Sequence, residues 1–147
     1  MPYTVEFSNT PLAIPERTWA QADNVPPVDG DTQPSVQFTA FSSCIGICAR
    51  NQAGARVIGI HLSVADGEGN LFAVNDVPQV SEILQSWGYD PATVFVIGQV
   101  AVWQESIPAA YQALLTSLGQ PQVYSYGDGQ YGAGLNLANV LVPTYVD

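Results

Sequence analysis

Two apolar runs, Cys44–Ala49 and Arg56–Val64, flank the short polar segment Arg50-Asn51-Gln52-Ala53-Gly54. Both alternate well enough to read as strands, so the chain is expected to fold around a β-hairpin. With Gln52 and Ala53 central in the turn, Cys48 faces Val57, Gly46 faces Gly59 and Cys44 faces His61. Side chains in a strand alternate between faces. Ile45, Ile47, Ile58 and Ile60 therefore share the core side, and Cys44, Gly46, Cys48, Val57, Gly59 and His61 share the other. Glycine weakens a strand, so the Gly46–Gly59 pair is expected to leave open volume beside Cys44 and His61.

The flanking sequence completes an α+β pattern, with helices packed on a mainly antiparallel sheet as a layered sandwich. Val80, Ile83, Leu84 and Trp87 repeat at helical spacing between an N-cap at Asn75 or Asp76 and a stop at Gly88. Thr93–Trp103 reads as a buried strand. Ser106 is placed to cap a second helix, with Pro108 in its first turn and Gly119 at its end. Val123–Tyr126 and Leu135–Val142 read as closing strands around a Gly-rich loop, Gly127–Gly134. Residues 1–35 are Pro-rich and read as an irregular arm with one short strand at Tyr3–Phe7. Residues 36–147 form the single domain.

The chain has 147 residues and a net charge of −10, with 11% charged residues and arginines only at 17, 50 and 56. Such a surface disfavours nucleic acid and anionic membranes and suits a neutral or basic protein partner. No apolar run reaches the ~18 residues of a membrane span. Met1–Glu6 has neither a basic region nor an apolar stretch and is not expected to be a secretory signal. Lysine is absent. That is either compositional drift or selection in a protein that must escape ubiquitin tagging inside a host cell. Cys44 and Cys48 lie four apart in a strand, roughly 13 Å, beyond the ~7 Å reach of a disulfide. Free thiols fit a reducing, cytoplasmic compartment, reached from the site of synthesis or by translocation into a host.

His61 is the only histidine, so histidine chemistry must use it. An imidazole beside a thiol can accept its proton, and the thiolate can attack an acyl or amide carbon. Ser42 and Ser43 place small residues before Cys44, where backbone N–H groups can stabilise an oxyanion. Cys48 faces Val57 rather than a base and reads as structural.

Ser43-Cys44-Ile45-Gly46-Ile47-Cys48, a turn, and Ile58-Gly59-Ile60-His61-Leu62 resemble the CheD-type chemoreceptor deamidases. The same Cys–His core occurs in toxins that deamidate host proteins, such as cytotoxic necrotizing factor and Burkholderia lethal factor. The resemblance covers Thr39–Val64. It implies hydrolysis of a protein glutamine side chain to glutamate with release of ammonia. Cys44 would be the nucleophile and His61 the base and acid, with no cofactor or metal. CheD-type enzymes and the Burkholderia toxin carry a threonine six residues before the nucleophile, where this chain has Phe38. Thr39 beside it, or a main-chain carbonyl near Phe38, is then expected to orient His61. The missing lysines fit a translocated bacterial effector better than a receptor modifier.

A non-catalytic acidic protein, of the immunity type that neutralises a basic partner, is the alternative of a different class. Asp66 and Glu68 read as a solvated turn, short of the ligand count of a Ca²⁺ loop. Asp66 is a further candidate to orient His61. Trp87 and Trp103 fit core positions, whereas Trp19 in the arm reads as an exposed contact residue.

Overall fold

The computed structural model describes residues 2–147. Among them, nine strands and three α-helices make an α+β fold dominated by sheet. The strands are β1 (Glu6–Phe7), β2 (Thr18–Asp23), β3 (Val36–Gln37), β4 (Ile45–Arg50), β5 (Arg56–Leu62), β6 (Phe95–Gly98), β7 (Gln122–Tyr124), β8 (Gln130–Leu135) and β9 (Leu141–Val146). The helices are α1 (Val77–Trp87), α2 (Val100–Ser106) and α3 (Pro108–Ser117). A mixed sheet runs in the order β1-β2-β5-β4-β6-β7, and a small antiparallel sheet in the order β3-β8-β9. No helix among the described residues is long and apolar enough to cross a membrane.

The main sheet is covered on both faces. Ile45, Ile47, Ile58 and Ile60 pack with Val80, Leu84, Trp103 and Leu114 of the helices. Cys44, Cys48 and Val57 pack on the opposite side with Phe38, Phe41, Tyr131 and Leu135. Strands buried on both faces read as near-continuous apolar runs, which is why β4 and β5 carry almost no polar residues. The face expected to be open thus lies under the second sheet.

The hairpin forms with its register moved by two residues. Gly46 pairs with His61, Ile45 with Leu62 and Cys48 with Gly59. Asn51 is the cause: its Oδ1 accepts from the N–H groups of Gly54, Ala55 and Arg56 at 2.9, 3.0 and 3.2 Å. The turn is therefore longer than two central residues. Because the side-chain period is two, this slip leaves every residue on its expected face.

Several elements depart from the sequence reading. The Pro-rich arm holds β2, which pairs along its whole length with β5, and Ile14, which is fully buried. The first strand covers only Glu6–Phe7, and Trp19 is half-buried in β2 with Phe7 edge-on to it at 4.9 Å. The expected strand Thr93–Trp103 ends at Gly98, whose φ of 122° suits glycine, and the chain continues as α2. Ser106 closes α2, and Ile107 is the N-cap of α3. Most of the expected Gly-rich loop, from Gln130 onward, is β8. Gly132 permits this, since a Cβ there would stand 2.5 Å from the Val36 carbonyl oxygen on β3. Gly88, at φ 87°, ends α1 as expected.

Candidate functional site

Cys44 stands immediately before β4, and its carbonyl accepts from the Gln99 N–H at 2.9 Å. Since Gly46 is opposite His61, Cys44 lies one diagonal step from the imidazole on the same face. Such neighbours are about 7–8 Å apart at Cα, against ~5 Å for opposed residues. The expected direct opposition is thus replaced by a diagonal one.

His61 is held from the N-terminal segment. Its Nδ1 lies 2.7 Å from the Ile14 carbonyl oxygen and 3.4 Å from Thr39 Oγ1. A carbonyl only accepts, so Nδ1 carries the proton and Nε2 is the free base nitrogen. Thr39 Oγ1 donates to the same Ile14 oxygen at 3.3 Å. A main-chain carbonyl does orient the ring, but it belongs to Ile14 rather than Phe38. Nothing in the sequence marks Ile14 for this role, because the contact spans 47 positions. Nε2 is buried and makes no hydrogen bond among the described residues. The Arg17 N–H, at a left-handed φ of 59°, donates to the His61 carbonyl at 2.7 Å, and its guanidinium donates to Ser63 Oγ at 2.9 Å.

The glycines do not leave open volume. A Cβ on Gly46 would meet the Phe38 ring at 2.5 Å, and one on Gly59 would meet Ile14 and Phe38 at 3.0 Å. Phe38 is therefore the reason for both glycines, and its edge also faces His61 at 5.5 Å. Phe41 lies over the imidazole at 4.8 Å and stacks on Tyr131 at 4.9 Å. Cys44 is 4% and His61 0% exposed. None of the four principal clefts is lined by either residue.

Burial sets the protonation of both groups. It pushes the Cys44 thiol up to about 12; Glu16 adds to this, while Arg17 and the Ser43 N–H oppose it. Burial also lowers His61 below its ordinary value, against the Ile14 hydrogen bond and Glu16, which favour the charged ring. At neutral pH the pair is thiol and neutral imidazole, not thiolate and imidazolium. Cys48 is a buried free thiol.

The remaining candidates have other tasks. Ser42 is exposed, and the Ser43 carbonyl accepts from Trp103 Nε1 at 3.0 Å. Asp66 does not orient His61: its carboxylate accepts from the Glu68 and Asn70 N–H groups and the Asn70 side chain, closing the turn. Trp103 is fully buried, and Trp87 is half-buried with Nε1 donating to Gln21 at 2.6 Å. No protein-family model matches the chain, and no curated protein matches it in sequence.

Proposed function

We propose that this chain is a cysteine-dependent protein-glutamine deamidase. The observation that carries the reading is the state of His61. Its Nδ1 proton is committed to the Ile14 carbonyl, and its unpartnered Nε2 shares a sheet face with Cys44. That supports a general base with its tautomer preset, one diagonal step from the nucleophile and not hydrogen-bonded to its thiol.

In this mechanism the Cys44 sulfur attacks the amide carbon of a glutamine side chain while its proton passes to His61 Nε2. Backbone N–H groups at Ser43 and Cys44 receive the oxyanion. The imidazolium returns the proton to the leaving nitrogen, and ammonia departs from a thioester. His61 then deprotonates a water that hydrolyses the thioester, giving glutamate and the free thiol. Because the thiol starts neutral, proton removal accompanies attack, and no standing ion pair is required. Substrate entry requires Phe41 to leave the imidazole. The substrate is a protein with a neutral or basic surface, and the setting is a bacterial effector acting in a host cytoplasm.

The test is incubation of host-cell protein extract with the chain, followed by mass spectrometry for glutamine-to-glutamate conversion. Conversion at defined sites, lost in both Cys44→Ser and His61→Gln, supports the reading. Equal backgrounds in all three samples refute it. They would favour the second reading, a non-catalytic acidic binding protein. The observation behind that reading is the covered Cys44 thiol, pushed up to about 12.

A further inference from the structure

An open groove of about 500 Å³ runs between α1 and the β1–β2 edge of the main sheet. Val5 and Trp19 line one wall, and Gln79, Glu82, Ile83 and Trp87 line the other. The helix wall follows from spacing. These positions recur at intervals of three and four residues and so share one face of α1. Trp19 pairs with Ile60 and points to the helix side, while Thr18 pairs with His61 and points the other way. Both indoles are half-buried, and the exposed Phe7 ring stands edge-on to Trp19 at 4.9 Å. Aromatic side chains grouped at a surface are the commonest anchors of protein interfaces.

The groove offers a partner one kind of charge. The Gln79 amide is engaged within the chain: Nε2 donates to the Tyr3 carbonyl at 2.8 Å, and Oε1 accepts from the Val5 N–H at 3.2 Å. Trp87 Nε1 donates to Gln21 Oε1 at 2.6 Å, which fixes that ring. Glu82 is exposed and makes no hydrogen bond or ion pair among the described residues. No arginine lines the groove, and the chain has no lysine. An incoming group therefore meets a free carboxylate, two indoles and apolar side chains, with no positive charge. A guanidinium matches that set: it stacks on indole, donates two parallel hydrogen bonds to a carboxylate, and loses less hydration than an ammonium. The net charge of −10 draws basic partners toward the surface.

We propose that this groove binds an arginine side chain of a basic protein partner, together with an apolar neighbour. The guanidinium pairs with Glu82 and lies against the indoles of Trp19 and Trp87, and the neighbour lies against Val5 and Ile83. The groove is across the main sheet from Cys44 and His61, shares no residue with them and does not depend on the deamidase reading.

The chain has three tryptophans, so three indole N–H signals appear in a nitrogen–proton correlation spectrum. Trp103 is fully buried and serves as the internal control. The full chain, with its signals assigned by sequential resonance assignment, is titrated with acetyl-Leu-Arg-Leu-amide. The same peptide with neutral citrulline for arginine, and tetramethylammonium chloride, are the comparison probes. The expected result is saturable movement of the Trp19 and Trp87 signals with the arginine peptide at millimolar concentration, while Trp103 stays still. The citrulline peptide lacks the charge and tetramethylammonium lacks the donors, so both should bind at least about tenfold more weakly. Glu82→Gln, at an exposed position with no partner to lose, should weaken the arginine peptide at least about fivefold. The proposal is overturned if Trp19 and Trp87 do not move, or if Trp103 moves with them. It is equally overturned if either comparison probe matches the arginine peptide, or if Glu82→Gln binds it unchanged.

Discussion

At the residue scale, His61 governs acid sensitivity and carries the proposed chemistry. Folding buries the ring and lowers its pKa below 6.5, so the unfolded chain binds the proton more readily. Stability from this group is complete above pH 6.5. It declines as pH falls from there toward the lowered folded value, by up to about 1.4 kcal/mol per pH unit. Urea unfolding of wild type and His61→Gln across this window should show a steeper acid loss in wild type. Parallel slopes would mean that His61 is not held neutral. The proposed deamidase activity, which would need the free Nε2, should stay level across neutral pH and fall only on the acid side of 6.5. Strand alternation puts His61 and Cys44 on one face, and in the structure the two share that face. The carbonyl that sets the ring lay beyond sequence reasoning, because Ile14 reaches His61 only through tertiary packing.

At the element scale, the β4–β5 hairpin shows how one side chain can move a register. Polar turn residues announced a hairpin, but Asn51 collects three N–H groups and lengthens the loop. Face assignment survived because the slip was even, whereas distance assignment between Cys44 and His61 did not. Gly46 and Gly59 were legible as a request for close approach, yet alternation alone could not name the visitor. It is the Phe38 ring. Gly46→Ala would put a methyl group 2.5 Å from that fully buried ring. The expected cost is about 1–3 kcal/mol, from overpacking where neither strand nor ring can yield. Chemical denaturation measures it, and an unchanged midpoint would contradict the packing described. The strand expected at Thr93–Trp103 failed for a related reason. Periodicity does not separate a short buried strand from a buried helix, and Gly98 is where one becomes the other.

At the scale of the whole molecule, two sheets and a helical layer leave no separate arm. A Pro-rich composition pointed to irregularity, but β2 is an internal strand and Ile14 supplies the acceptor for His61. Removing residues 1–35 would expose the β5 edge and strip one wall of the second core. The truncated chain should lose cooperative unfolding and near-ultraviolet dichroism. A folded 36–147 fragment would show instead that the first segment is dispensable. The second sheet also explains why Cys44 and His61 are covered. Phe41 joins them to the outer layer through Tyr131, and its N–H is fastened to the Gly129 carbonyl at 2.9 Å.

In the proposed mechanism Cys44 and His61 act as one chemical unit once Phe41 is out of the way. The direct measurement is the iodoacetamide alkylation rate of each cysteine at neutral pH, resolved by mass spectrometry. It is made in wild type, Phe41→Ala, and Phe41→Ala combined with His61→Gln. Cys48 is fully buried and reports any general loosening of the fold. The prediction is slow Cys44 alkylation in wild type, as a thiol pushed up to about 12 requires, and at least about tenfold faster alkylation in Phe41→Ala. That gain should vanish when His61 is also replaced, with Cys48 unreactive throughout. If Phe41→Ala leaves Cys44 inert, or if its reactivity persists without His61, the two residues are not a catalytic pair.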